Sequence, residues 1–208
     1  MFEMIERCYL QGKNMKVSFF VPFFAFYILV PLYAYVKYTV EGNWTYFDCI
    51  TDVSLDITPV VCVWWIYLIL KEYIEGDGNE ILILKGGIIS VVGNYFCLTI
   101  LCYLPVFLLR IFCEDEPLDL FLPLCVITFF MYGLVLTISF LFRNISMAIL
   151  IVLLYSIYNS IFFNFNDGEM PLQYTDMYVL YWADYAAPFL TIGCILWGIA
   201  IWKSKKLQ

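Results

Sequence analysis

The chain has 208 residues, of which 63% are hydrophobic and 20% aromatic, but only 14% are charged. An average soluble domain carries about 25% charged residues, so this composition excludes an ordinary water-soluble fold and predicts a membrane protein with several spans. The formal net charge of −7 argues against nucleic acid as a partner. Histidine is absent, which removes the commonest metal ligand and acid–base catalyst.

The first half of the chain predicts an interfacial helix and two spans. Residues 1–16 have helical apolar spacing mixed with charges, which favours a helix lying in the membrane interface, although a frayed tail explains them equally well. The first span is predicted at 17–36, and its two prolines are tolerated because membrane helices accept kinks. A polar, acidic loop is predicted at 37–58. The second span, 57–73, is close to the shortest crossing of about 17 residues.

The second half predicts four more spans, at 86–111, 120–142, 147–163 and 186–202. Between the last two lies an aromatic and acidic stretch, 164–187, whose tyrosines and tryptophan are typical of a membrane interface. The predicted fold is therefore all-α: a polytopic membrane protein with six transmembrane helices.

Three polar side chains in the spans are candidates for lining a transport pathway: Asn94 in the third span, and Ser156 and Asn159 in the fifth. Polar residues also join helices to one another within bundles, and that interpretation is at least as common. No acid or base lies at mid-depth in a predicted span, although carriers coupled to ions usually need one.

The longest polar interruption between two neighbouring apolar runs is 71–85, KEYIEGDGNEILILK. Its four acids place it in water at a membrane face. The residues up to Glu75 can continue the preceding helix, and Gly76-Asp77-Gly78 breaks it. A second, short helix with an apolar face then follows from Asn79, which can cap it. The pattern predicts a docking element for a soluble partner.

This segment resembles the first cytoplasmic loop of type-2 ABC exporter permeases, which forms the coupling helix seated on the ATPase. The family pattern is E-x-x-x-G-T-x-E-L-L-L, and here GDGN replaces the G-T-x step, so the Gly-to-Glu spacing differs by one. The resemblance implies that the coupling residues are Glu72, Glu75, Gly76, Asp77, Gly78, Glu80, Ile81 and Leu82.

The resemblance also implies partners and accessory elements. Two six-span subunits would pair, as a homo- or heterodimer, and each would dock on an ATP-binding subunit that carries ATP and Mg. It further implies a connecting helix at residues 1–16 and short re-entrant outer helices at 164–187. The chain has no G-x-x-x-x-G-K-[ST] motif, so ATP hydrolysis is expected on a separate subunit and no cofactor in this chain.

The distribution of basic residues predicts the orientation. Nine of the eleven Lys and Arg residues fall in segments placed inside and two, Lys37 and Arg110, in segments placed outside. This bias predicts both termini in the cytoplasm. The expected location is the plasma membrane, as a multi-pass protein. Cys49 and Cys113 are predicted to be external, with a disulfide between them left open. The expected cargo is amphipathic: a peptide, lipid or drug. The alternative is an accessory or scaffold subunit without a pathway of its own.

Overall fold

The computed structural model describes residues 16–41, 46–75, 88–105, 108, 118–165 and 186–207. All regular secondary structure in these residues is helical, and they contain no strand. The all-α prediction is therefore confirmed for the part of the chain that is described.

Six helical segments make up this part of the chain. The first, α1, covers residues 16–41. The others are α2 at Tyr46–Glu75, α3 at Ile88–Cys102, α4 at Leu118–Phe142, α5 at Ile145–Phe165 and α6 at Ala187–Leu207.

The helix α1 changes its winding at its prolines. Proline lacks an N–H and its ring clashes with the carbonyl four residues earlier, so a regular α-helix is disturbed just before it. A π-helical turn directly precedes Pro31, where the Val30 N–H bonds the Ala25 carbonyl. The four consecutive pieces are a 3₁₀ turn at Lys16–Phe20, an α-helical turn at Val21–Phe24, the π turn at Ala25–Leu29 and a regular α-helix at Val30–Glu41.

The prediction of a polar loop over 37–58 is wrong for most of that range. The helix α1 continues to Glu41 and α2 already begins at Tyr46. The Tyr46 hydroxyl donates to the Pro31 carbonyl at 3.1 Å, and Cys49 and Val53 are buried in the same interface. Hydropathy shows where a helix leaves hydrocarbon, whereas the helix itself continues for as long as its apolar stripe finds a partner.

The helix α2 is longer than the hydrocarbon layer of a membrane is thick. The 30 residues of α2 span about 45 Å at 1.5 Å per residue, compared with about 30 Å of hydrocarbon. The side chain of Cys49 is fully buried within the protein, and its position on the outer side of the membrane stays a prediction. Cys113 lies outside the described residues, so the question of a disulfide stays open.

Neighbouring helices alternate in direction. Ser18 near the start of α1 meets Trp64 late in α2, while Pro31 further along α1 meets Tyr46 at the start of α2. These two helices are therefore antiparallel. The tight turn at Arg143 and Asn144 sends α5 back along α4.

The even-numbered helices run in one direction. Phe130 of α4 contacts Phe189 of α6, and Thr137 bonds the Leu196 carbonyl one to two turns further along both helices. The helix α2 ends beside the end of α4, where a tyrosine and a phenylalanine ring meet. The helices α2, α4 and α6 therefore end at the same side of the bundle.

The bundle is organised around α4, which packs against α2, α3, α5 and α6. In α4, 78% of Leu124–Phe142 is buried, compared with 28% of Val17–Val40 and 17% of Ala187–Lys205. Those three stretches are long and apolar enough to cross a membrane, so the chain is membrane-embedded. Shorter apolar helical stretches lie at Ile57–Lys71, Ile88–Cys102 and Ile145–Tyr155. Six crossings stay a prediction.

Candidate functional site

Basic side chains gather at the end of the bundle where α2, α4 and α6 finish. Lys71 lies just before the last turn of α2, Arg143 lies in the turn after α4, and Lys203 and Lys205 lie near the end of α6. Lys37 lies toward the other end, because α1 runs in the opposite direction. We call this end of the bundle the basic face.

The helix that leads into the polar segment 71–85 is fixed at the basic face. Tyr73 is buried, and its ring centroid lies 6.3 Å from that of Phe140 in an edge contact. Lys71 is exposed, with its Nζ atom 5.7 Å from the centre of the Tyr67 ring. The α-helix continues to Glu75. The polar segment therefore starts from a helix end that packs directly on α4.

The predicted coupling residues fall largely beyond this point. Glu72 and Glu75 lie on the last turn of α2, and their side chains are outside the described part. The remaining predicted coupling residues also lie outside the described residues: Gly76, Asp77, Gly78, Glu80, Ile81 and Leu82. The same holds for the predicted interfacial helix, except for its last residue, and for most of 164–187.

Of the three pathway candidates, only Asn94 has a described side chain. Asn94 is half-buried on α3 and forms no hydrogen bond with a described residue. Ser156 and Asn159 lie on α5, with their side chains outside the described part. The helices α3 and α5 make no extended contact with each other in the residues described.

The structure contains a buried hydroxyl seam between α3 and α4 that the sequence analysis missed. Tyr132 Oη lies 2.5 Å from Thr99 Oγ1 and 3.1 Å from the Tyr95 carbonyl. One helical turn away, Tyr103 Oη lies 2.7 Å from Thr128 Oγ1. The sequence signal is the i, i+4 spacing of tyrosine and threonine on both helices.

This hydroxyl seam, Thr99, Tyr103, Thr128 and Tyr132, joins helices and holds no charge. Its hydroxyls bond one another or a carbonyl, as buried polar groups in an apolar surrounding require. No charged side chain is buried among the described residues. The seam therefore joins α3 and α4 through interhelical hydrogen bonds and offers no acid–base chemistry.

The closest helix contact joins α4 and α6 through two glycines. A Cβ atom on Gly133 would lie 3.2 Å from the Gly193 carbonyl oxygen, and one on Gly193 would lie 2.8 Å from a carbon of the Phe129 ring. Trp197 Nε1 donates to the Phe129 carbonyl at 3.1 Å, and Thr137 Oγ1 donates across the same interface. Small residues and interhelical hydrogen bonds are the usual means of close packing in membranes.

Two adjacent tryptophans hold the start of α1. Trp64 Nε1 donates to the Ser18 carbonyl at 2.9 Å, and Trp65 Nε1 donates to the Phe19 carbonyl at 3.0 Å. These donors are needed because Pro22 lacks an N–H group. That group would bond the Ser18 carbonyl in an α-helix or the Phe19 carbonyl in a 3₁₀ helix. The indoles supply the donors that the proline removes.

Within the described ranges, no group of three or more His, Cys, Asp or Glu residues could hold a metal ion. Comparison of the chain with family models, with curated proteins and with solved structures gives no match. The resemblance to type-2 ABC exporter permeases therefore stays a prediction from the residues.

Proposed function

We propose that this chain is the transmembrane permease subunit of an ATP-driven exporter of the type-2 ABC class, located in the plasma membrane. The observation that carries the proposal is the position of the polar segment 71–85. Its first residues, 71–75, form the end of α2 at the basic face, where Tyr73 packs on Phe140. A soluble ATPase that binds this segment would act on α2, which packs directly on the central helix α4.

A route for movement follows from the contacts. A displacement of the segment would pull on the last turn of α2 and act on α4 through Tyr73 and Phe140. The helix α4 would carry α6 with it, because the contact at Gly133 and Gly193 leaves no space for independent sliding. ATP and Mg would remain on the ATPase.

The proposal includes six crossings with both termini in the cytoplasm. The alternating helix directions support it, as does the gathering of Lys71, Arg143, Lys203 and Lys205 at one face, because basic residues favour the cytoplasmic side. The short stretch Ile57–Lys71 belongs to a helix about 45 Å long, which is sufficient for a crossing.

The interior of the bundle bears on the cargo. The hydroxyl groups of the seam hydrogen-bond one another, and no charged side chain that could bind a small ion is buried among the described residues. We therefore propose an amphipathic cargo, a peptide, lipid or drug, that moves between two copies or two related subunits. The same closed interior also favours the second candidate, a scaffold subunit without a pathway. Co-purification of a P-loop ATPase separates the two.

The experiment is the charge reversal Glu80→Arg, with Glu75→Arg as its control. A carboxylate in the first turn of a short coupling helix stabilises that helix by roughly 0.3–1 kcal/mol and can pair with a base on the ATPase. We expect Glu80→Arg to insert at the normal level and to lose ATPase co-purification in mild detergent, while Glu75→Arg loses less. Normal ATPase binding and transport in Glu80→Arg would remove the main support for the proposal.

A further inference from the structure

The helices α5 and α6 both pack on α4, but they make no extended contact with each other in their described parts. Between them α4 presents one stripe of apolar side chains, Phe130, Leu134 and Leu141, whose spacing of four and seven residues places them on one helix face. Leu141 is 47% exposed, and the other two are half-buried. We call this surface the α5–α6 cleft.

The cleft is closed at one end and open at the other. The Phe130 ring lies 6.3 Å from the Tyr155 ring of α5 and 5.1 Å from the Phe189 ring of α6, so these three rings bridge the two helices. At the basic face the floor ends at Leu141, which is exposed.

Two cations flank the open end. Arg143 is exposed in the turn between α4 and α5. Lys203 lies on the same face of α6 as Phe189 and Ile192, at spacings of fourteen and eleven residues, which brings it to the cleft side. Its Nζ atom lies 5.6 Å from the centre of the Trp202 ring. Lys205, two residues further, lies on a different face.

The helices that form the cleft do not balance these charges. Neither α5 nor α6 contains an acidic residue. The acid on α4, Asp119, is 24 residues before Arg143, which is about 36 Å along a helix. An apolar floor with two cations at its open end, and no acidic residue on α5 or α6, matches one chemistry: an acyl chain attached to a phosphate at the membrane interface.

We propose that the α5–α6 cleft binds one anionic phospholipid of the basic-side leaflet. The phosphate lies between Arg143 and Lys203, and an acyl chain runs along Leu141 and Leu134 toward Phe130. The site is separate from the polar segment 71–85 and does not depend on an ATPase.

The test is lipid binding to the purified protein in mild detergent, measured by native mass spectrometry with phosphatidylglycerol and phosphatidylcholine. A basic residue near an anionic headgroup contributes about fivefold in affinity. We therefore expect Arg143→Gln with Lys203→Gln to weaken phosphatidylglycerol binding about 25-fold and to leave phosphatidylcholine binding unchanged. Lys205→Gln is the matched control, since it removes the same charge two residues away, and it should change binding less than twofold.

Four outcomes would overturn the proposal. Equal losses in Lys203→Gln and Lys205→Gln would show a general surface-charge effect, and unchanged binding in the double variant would exclude the site. Equal competition by glycerol phosphate, which has no acyl chain, would show a phosphate site. Binding that emerges only when a dimer dissociates would place a second copy in the cleft. Leu141→Asn keeps both cations, and we expect it to weaken lipid binding. Its melting temperature in lipid-free detergent should not change.

Discussion

The substitution Gly193→Ala tests whether α4 and α6 are as closely packed as the structure indicates. The new Cβ atom would lie 2.8 Å from Phe129 Cδ1 and 2.9 Å from Cε1, distances that real Cβ atoms do not tolerate. The Phe129 ring has little room to yield, because it stacks on Trp197 at 5.8 Å and meets the edge of Phe96 at 6.1 Å. Such overpacking typically costs about 1–3 kcal/mol.

The matched control is Gly198→Ala, one turn further along α6, where a Cβ atom meets nothing within 4 Å. Both substitutions gain the same helix propensity, about 1 kcal/mol for alanine over glycine, so their difference isolates the contact. We expect Gly193→Ala to be less stable than Gly198→Ala by about 1–3 kcal/mol in free energy of unfolding. Unfolding by increasing sodium dodecyl sulfate in mixed micelles measures this difference. Equal stabilities would refute the close contact.

Three further substitutions test other contacts by the same unfolding assay. Trp64→Phe removes the donor to the Ser18 carbonyl and should lower the free energy of unfolding by about 0.5–1.5 kcal/mol. In a Pro22→Ala background this loss should be smaller, because the alanine supplies its own N–H. Equal losses in the two backgrounds would contradict the role of the indole. Asn144→Ala should cost about 1 kcal/mol, since the Asn144 side chain accepts from two N–H groups of α5, while Asn144→Asp should be nearly neutral. Tyr132→Phe should cost about 0.6–1.5 kcal/mol, and no change would show that the hydroxyl seam does not join α3 and α4.

The sequence predicted the helical membrane fold because composition reports directly on the solvent. An apolar residue avoids water whether its neighbour is lipid or protein, so hydropathy located the apolar helices but did not show how deeply each one is buried. The central stretch Leu124–Phe142 is more apolar than Ala187–Lys205 at the edge of the bundle, but Val17–Val40 is nearly as apolar as Leu124–Phe142 and is far less buried. That difference depends on which helices pack together.

The same limit explains the error over 37–58. The polar residues of that range predict the end of a span, whereas most of the range is helical and includes buried residues such as Cys49 and Val53. The hydroxyl seam was missed for a related reason. Single tyrosines and threonines in spans are common, and only the pairing of Thr99 with Tyr132 across two helices shows their purpose. For the polar segment 71–85, the structure describes only residues 71–75, which form the end of α2.

The central claim is that the polar segment after α2 docks on an ATPase, and photo-crosslinking in intact cells tests it most directly. A photoreactive amino acid is placed at Glu80, and for comparison at Val40, which is exposed at the opposite end of the bundle. Mass spectrometry then identifies the cross-linked partners. The account predicts an adduct with a P-loop ATPase from position 80 and none from position 40. The absence of such an adduct at position 80, or equal adducts at both positions, would contradict it.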